Sequence, residues 1–208
     1  TDDRVPKIRE FVPLEKIESL VFGGWDINQE NLHEICVRSG VLEKSLLDSV
    51  KSPLESIEVW PAAFDKKFVR RLEGNHIKSA TNKRELVEQV TNDIQTFINE
   101  KQTSSNVMIW CGSTEIFFEP SEVHSSLKKF EKGLTNNDPD ISPSMIYAYA
   151  SLKLGIPYAN GSPNLSVDIP ALQELAIKTS TPIAGKDFKT GQTLMKTIIA
   201  PGLKARQI

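Results

Sequence analysis

Four short turns carry residue types suited to holding a phosphorylated, hydroxyl-rich ligand. The first is Phe22-Gly23-Gly24-Trp25-Asp26-Ile27. Two glycines permit close backbone approach, and Asp26 can accept hydrogen bonds from ribose hydroxyls. A plain strand-to-helix turn, with Asp26 near the helix start, fits the same residues. The second is Trp110-Cys111-Gly112-Ser113-Thr114-Glu115. Its small residues and hydroxyls can line a dinucleotide cleft. Cys111 has no neighbouring His or cluster of basic residues, so it reads as a buried, inert thiol rather than a nucleophile. The third, Asn160-Gly161-Ser162-Pro163-Asn164, is by itself a turn. The fourth is Gly185-Lys186-Asp187-Phe188-Lys189-Thr190-Gly191-Gln192-Thr193. If a helix body follows at 194–199, Thr190, Gly191, Gln192 and Thr193 sit at a helix N-terminus. Unpaired N–H groups and the helix dipole favour an anion there, and Lys189 adds charge. A Thr cap on an ordinary helix is the plainer alternative. The spacing and ending of a Walker A loop are absent.

Other chemistry finds less support. His33, His76 and His124 have no metal-ligand spacing to a partner, so no metal site is expected. Two cysteines, Cys36 and Cys111, supply neither a disulfide framework nor a four-ligand zinc site. A reducing compartment is the default. Lys and Arg number 25 against 27 Asp and Glu, a net charge of −2, which argues against a nucleic-acid groove or a polybasic membrane surface. The basic run at 66–71 reads as a solvated helix face. No apolar run is long enough for a membrane helix. The chain opens without an initiator Met or a signal peptide, and the true start is expected upstream.

The elements that must position these turns alternate between the two hydrophobic periods. Residues 19–22 form an apolar run stopped by Gly23-Gly24, read as a buried strand. Asn28 is the expected cap of a helix bearing Leu32, Ile35 and Cys36. Residues 83–101 carry a helical stripe of Leu86, Val90, Ile94, Phe97 and Ile98, opened by Asn82 with Glu85 three later. Strands are expected at 106–110, 156–159 and 181–184. Helices are expected near 120–134, 143–154 and 170–179, and again from about Thr190. With 208 residues, 39% of them apolar, the chain can bury an ordinary core. Strands alternating with helices predict an α/β fold with a parallel sheet, whose carboxyl ends bind ligands.

These turns, in this order, resemble the myo-inositol-1-phosphate synthase family. Gly-Gly-Trp-Asp-Ile matches at 23–27. The family's Trp-Thr-Ala-Asn-Thr-Glu matches in part at 110–115. Ser-Pro-Ser matches at 142–144, and Asn-Gly-Ser-Pro at 160–163. The family's Gly-Asp-Asp-Phe-Lys-Ser-Gly-Gln-Thr matches at 185–193, with Lys186 and Thr190 as departures. That form resembles the shorter prokaryotic branch. The resemblance implies conversion of glucose 6-phosphate to myo-inositol 1-phosphate with bound NAD. Oxidation at C5 acidifies the C6 protons, the enolate closes onto the C1 aldehyde, and reduction restores the hydroxyl.

The resemblance also assigns roles. Asp26 and Ile27 match NAD-contacting positions, as do Cys111, Gly112, Ser113 and Thr114, although Cys111 and Ser113 replace other residues. Ser162 matches a cofactor-side position. Asp187 matches an aspartate beside the nicotinamide, which orients a catalytic lysine. Thr190, Gly191, Gln192 and Thr193 match the cradle for the substrate phosphate. The family's glycine-rich phosphate turn is expected before Thr1 and its catalytic lysines after Ile208. The implied architecture is an incomplete, Rossmann-like, doubly wound parallel sheet over 1–180. Residues 181–208 would begin an α+β catalytic and oligomerisation domain. The implied full-length protein is a cytoplasmic homo-oligomer, a tetramer, with no nucleic-acid or membrane partner. The 208-residue chain alone is expected to be inactive. Two alternatives stand beside this reading: a non-catalytic NAD- or phosphate-binding relative, and an NAD-dependent sugar-phosphate dehydrogenase.

Overall fold

The computed structural model describes residues 7–57, 59–188 and 195–207. Strand β1 (Gly24–Asp26) pairs in parallel with β2 (Val59–Pro61), placing Gly24 opposite Val59 and Asp26 opposite Pro61. Strands β3 (Met108–Trp110), β4 (Tyr158–Asn160) and β5 (Ile183–Ala184) form a second parallel sheet in that order. Parallel neighbours require crossover connections, and helices provide them. Helices α1 (Leu32–Ser39), α2 (Lys44–Ser49) and α3 (Lys51–Glu55) join β1 to β2. Helix α4 (Lys83–Lys101) leads from β2 to β3, and α5 (Leu127–Thr135) and α6 (Pro143–Lys153) lead from β3 to β4. Helix α7 (Pro170–Lys178) leads to β5, and a π-helical stretch, Met195–Ile199, runs into α8 (Ala200–Ala205). The α/β class and parallel pairing agree with the sequence, with the sheet present as two hydrogen-bonded pieces. β5 continues the second sheet beyond residue 180.

The core lies where α4, α5, α6 and α7 pack on the second sheet. Helix α5 buries Leu127, Phe130 and Leu134 at helical spacing and turns its lysines outward. Helix α6 is buried from Pro143 through Leu152, as its sequence Pro-Ser-Met-Ile-Tyr-Ala-Tyr-Ala-Ser-Leu demands. Its polar atoms are spent internally. The Tyr147 hydroxyl accepts from Ala63 N–H at 2.8 Å, and Ser151 Oγ donates to Ile156 O at 2.8 Å. Tyr147 also joins the sheets, its ring 5.0 Å from that of Trp25 and 5.6 Å from that of Trp110. The same indole also reaches α4, where Trp25 Nε1 donates to Asp93 Oδ2 at 2.6 Å. Lys78 Nζ reaches the same oxygen at 2.7 Å, and both ionic side chains are largely buried.

Several expected boundaries shift. The strand expected at 19–22 falls instead at Gly24–Asp26, because the ladder exists only where Val59–Pro61 stand opposite. Leu20, Val21 and Phe22 are exposed. Asn28 does not cap a helix. Its backbone N–H closes an Asx turn on Asp26 Oδ1 at 2.8 Å, and Asn31, in a reciprocal capping box with Glu34, starts α1. The helix expected over 120–134 splits into a 3-10 turn, Glu122–His124, and α5, which Ser126 caps. The basic run at 66–71 is exposed turn rather than helix face. The N-terminus expected at Thr190, Gly191, Gln192 and Thr193 lies outside the described residues.

Leu134 is fully buried between α5 and its neighbours. Leu134→Ala removes its packing and leaves a cavity. The unfolding free energy, measured by urea titration, is expected to fall by about 2–5 kcal/mol.

Candidate functional site

One cavity of about 590 Å³ separates the two sheets, with β1 on one wall and β3 on the other. At the carboxyl ends of these strands its wall includes Asp26, Ile27, Cys111, Gly112 and Ser113. Two turns 85 residues apart in the chain (26 to 111) therefore share a rim. Parallel pairing produces this, since it puts every strand's carboxyl end on the same edge.

The Asp26 turn is held from both sides. Asp26 Oδ1 accepts from Asn28 N–H and, at 3.3 Å, from Asn28 Nδ2. His76 Nδ1 lies 3.2 Å from Asp26 O, so that nitrogen carries the proton, and His76 N–H donates to Ile27 O at 2.9 Å.

The second turn folds over a buried carboxylate. Glu115 is 2% exposed and sits at the N-terminus of α6. Its Oε1 accepts from Ser144 N–H at 2.8 Å, and its Oε2 accepts from Ser144 Oγ at 2.6 Å and Asn164 Nδ2 at 3.0 Å. Burial pushes the Glu115 carboxyl above its ordinary range, opposed by the Ser144 hydroxyl and N–H. The third turn bonds to the second: Ser162 Oγ donates to Gly112 O at 2.9 Å, and Gly161 N–H donates to Trp110 O at 2.9 Å. Gly161 must be glycine, because a Cβ there would lie 2.2 Å from the Phe188 ring and 2.6 Å from Trp110 O.

The remaining candidates fall around this rim. Thr114, Ser162 and Asp187 lie off the cavity wall. Asp187 adopts φ +71°, and its N–H donates to Asn160 O at 3.2 Å, which seats it beside the third turn. Lys186 pairs with Asp168 at 2.9 Å. Thr190, Gly191, Gln192 and Thr193 belong to the residues not described. Cys111 is exposed on the rim, contrary to the buried thiol expected, because it follows the last ladder residue of β3. Partial burial of its sulfur still raises its pKa, so the thiol form is favoured. Among the described residues no cluster of His, Cys, Asp or Glu fits a metal ion. Residue typing alone gave no role to Glu115, Ser144 or Asn164. The available signal was an acid directly after an apolar strand and small polar turn.

The wall fits a dinucleotide. A Cβ on Gly24 would meet nothing within 4 Å, so backbone there faces open space. Asp26 stands at a strand end, where ribose hydroxyls are bound in doubly wound folds. The buried Trp110 Nε1 has no acceptor among the described residues. A Cβ on Gly112 would lie 2.7 Å from the Trp110 ring, so glycine lets the turn close over the indole.

A carboxyl whose pKa rises on folding stabilises the folded state while it is protonated. For Glu115 that contribution is complete below its ordinary value of 4.5 and drains away as pH rises through the raised value. The stability difference between wild type and Glu115→Gln is expected to be largest below about pH 4.5 and to shrink above it. Urea titrations from about pH 4 to pH 8 measure it; a pH-independent difference would contradict the assignment.

Residues 1–203 match the family model described as myo-inositol-1-phosphate synthase, NAD-binding. The chain is 45% identical over 202 residues to inositol-3-phosphate synthase 1 of Bacteroides thetaiotaomicron, covering 97% of this chain and 47% of that protein. It is 33% identical over 194 residues to inositol-3-phosphate synthase 1 of rice, Oryza sativa, covering 92% of this chain and 38% of that one. The crystal structure of inositol-3-phosphate synthase from Caenorhabditis elegans superposes with a TM-score of 0.84 at 28% identity, over 96% of this chain and 40% of that one. The chain thus spans less than half the length of these relatives. NAD is the cofactor of the domain the family model describes. With five motifs in family order and a match over nearly its whole length, the chain belongs to the myo-inositol-1-phosphate synthase family.

Proposed function

We propose that the complete polypeptide converts glucose 6-phosphate to myo-inositol 1-phosphate, and that this chain supplies most of the cofactor side of the site. The convergence of Asp26, Ile27, Cys111, Gly112 and Ser113 on one cavity, in a chain of this family, carries the reading. NAD supplies a hydride acceptor that returns the hydride, so oxidation and reduction leave no net redox change. Asp26 offers its carboxylate to ribose hydroxyls. Cys111, Gly112 and Ser113 offer backbone and small side chains on the opposite wall, and Thr114 continues that turn off the wall. Ser162 holds the second wall through the Gly112 carbonyl. Asp187, from the fourth turn, reaches toward the nicotinamide end and a lysine supplied from elsewhere. Thr190, Gly191, Gln192 and Thr193 cradle the substrate phosphate, with Lys189 strengthening the field.

In the same reading residues 1–180 belong to the cofactor domain and 181–208 begin the catalytic and oligomer-forming domain. The complete protein is a cytoplasmic homotetramer without a nucleic-acid or membrane partner. No described helix is long and apolar enough to cross a membrane.

The complete polypeptide, mixed with glucose 6-phosphate and catalytic NAD, is expected to yield inositol phosphate by phosphorus NMR with no accumulation of NADH absorbance. Stoichiometric NADH would instead mark a dehydrogenase. NAD binding without product would mark a non-catalytic relative. The 208-residue chain alone is expected to give no product, since both cofactor anchoring and oxyanion-stabilising cations supply large rate factors.

A further inference from the structure

The rim of the cavity is shaped by a closed circuit of buried hydrogen bonds that runs through Glu115. Asn164 Nδ2 donates to Glu115 Oε2, and Asn164 Oδ1 accepts from Glu115 N–H at 3.4 Å. Asn160 Nδ2 donates to Asn164 O at 2.9 Å, and Asn160 Oδ1 accepts from Ser162 N–H at 3.0 Å. Ser162 Oγ closes the circuit on Gly112 O, three residues before Glu115. The side chains of Glu115, Asn160, Ser162 and Asn164 are all buried. Ser144 fastens the circuit to the first turn of α6 through its N–H and hydroxyl.

We propose that Glu115 is a positioning residue for NAD binding: its carboxylate locks the β3 turn to the β4 turn and so fixes the backbone of residues 111–113 on the cavity wall. This rests on the cavity being the NAD site. The chemistry of the circuit calls for this side chain. Three donors converge on its two oxygens, and only a carboxyl group carries enough lone pairs on both. In glutamine one oxygen becomes an NH₂ donor, which opposes either Ser144 N–H or Asn164 Nδ2. Asn164 cannot flip to relieve this, because its Oδ1 already accepts from Glu115 N–H. No cation pairs with Glu115 among the described residues, and donors of Ser144 and Asn164 meet its oxygens instead. A buried, unpaired acid is a poor device for stability alone. Its yield is the fixed orientation of the Gly112 carbonyl and its neighbours.

The test uses the complete polypeptide and NAD. Glu115→Gln is expected to weaken NAD binding by about tenfold or more, at a temperature where circular dichroism shows the protein folded. The KM for NAD should rise by more than kcat falls. Leu134→Ala, in the core away from the rim, should lower the melting temperature and leave NAD affinity within about twofold. If Glu115→Gln fails to fold, Ser144→Ala, which deletes one hydroxyl, serves in its place and should weaken NAD binding at least about threefold. Lower melting temperature with unchanged NAD affinity in the folded variant overturns the proposal. Failure of the unaltered polypeptide to bind NAD is a different result and overturns the cofactor site itself.

Discussion

Helix α6 is enclosed by protein along ten residues, so its leading N–H groups cannot turn to water. The acceptor that Ser144 N–H finds is the carboxylate of Glu115, carried in by the chain leaving β3. This contact fixes the helix end, the path of the β3 turn and, through Asn164, the path of the β4 turn. The β3 and β4 side of the rim follows from it. Without an acceptor there, a buried donor would cost about 1–3 kcal/mol.

A second constraint is set by aromatic rings. Trp25 on β1 and Trp110 on β3 both pack against Tyr147. Those contacts keep the two sheets on a common helix while leaving β1 and β3 apart, and the cavity is the space between them. Large aromatic contacts suit this task, since each ring covers much area with few rotatable bonds. The buried Lys78–Asp93 pair, joined by Trp25 Nε1, anchors β1 to α4. The cavity wall needs such anchoring because strands of three residues hold few ladder bonds of their own.

Asp26, Cys111, Gly112 and Ser113 were legible in the sequence because small and acidic residues after apolar runs stand out locally. The same local view misplaced the first strand. Residues 19–22 have the apolar character of a strand, yet pairing is decided by what stands opposite, and Val59–Pro61 stand opposite Gly24–Asp26. It also misjudged Cys111, whose exposure depends on how far the β3 ladder runs.

The sequence by itself determined the alternation of strand and helix, the long amphipathic α4, a helix near 143–154 and the order of the turns. Periodicity and capping residues are local properties, so they can be read without a fold. Only the tertiary structure decided that Asp26 and Ser113 face one cavity and that Glu115, Ser144, Asn160, Ser162 and Asn164 form one network. The bonded partners lie up to 50 residues apart. A buried hydrogen bond between distant residues leaves no periodic trace in the chain, because it depends on three-dimensional approach rather than on spacing.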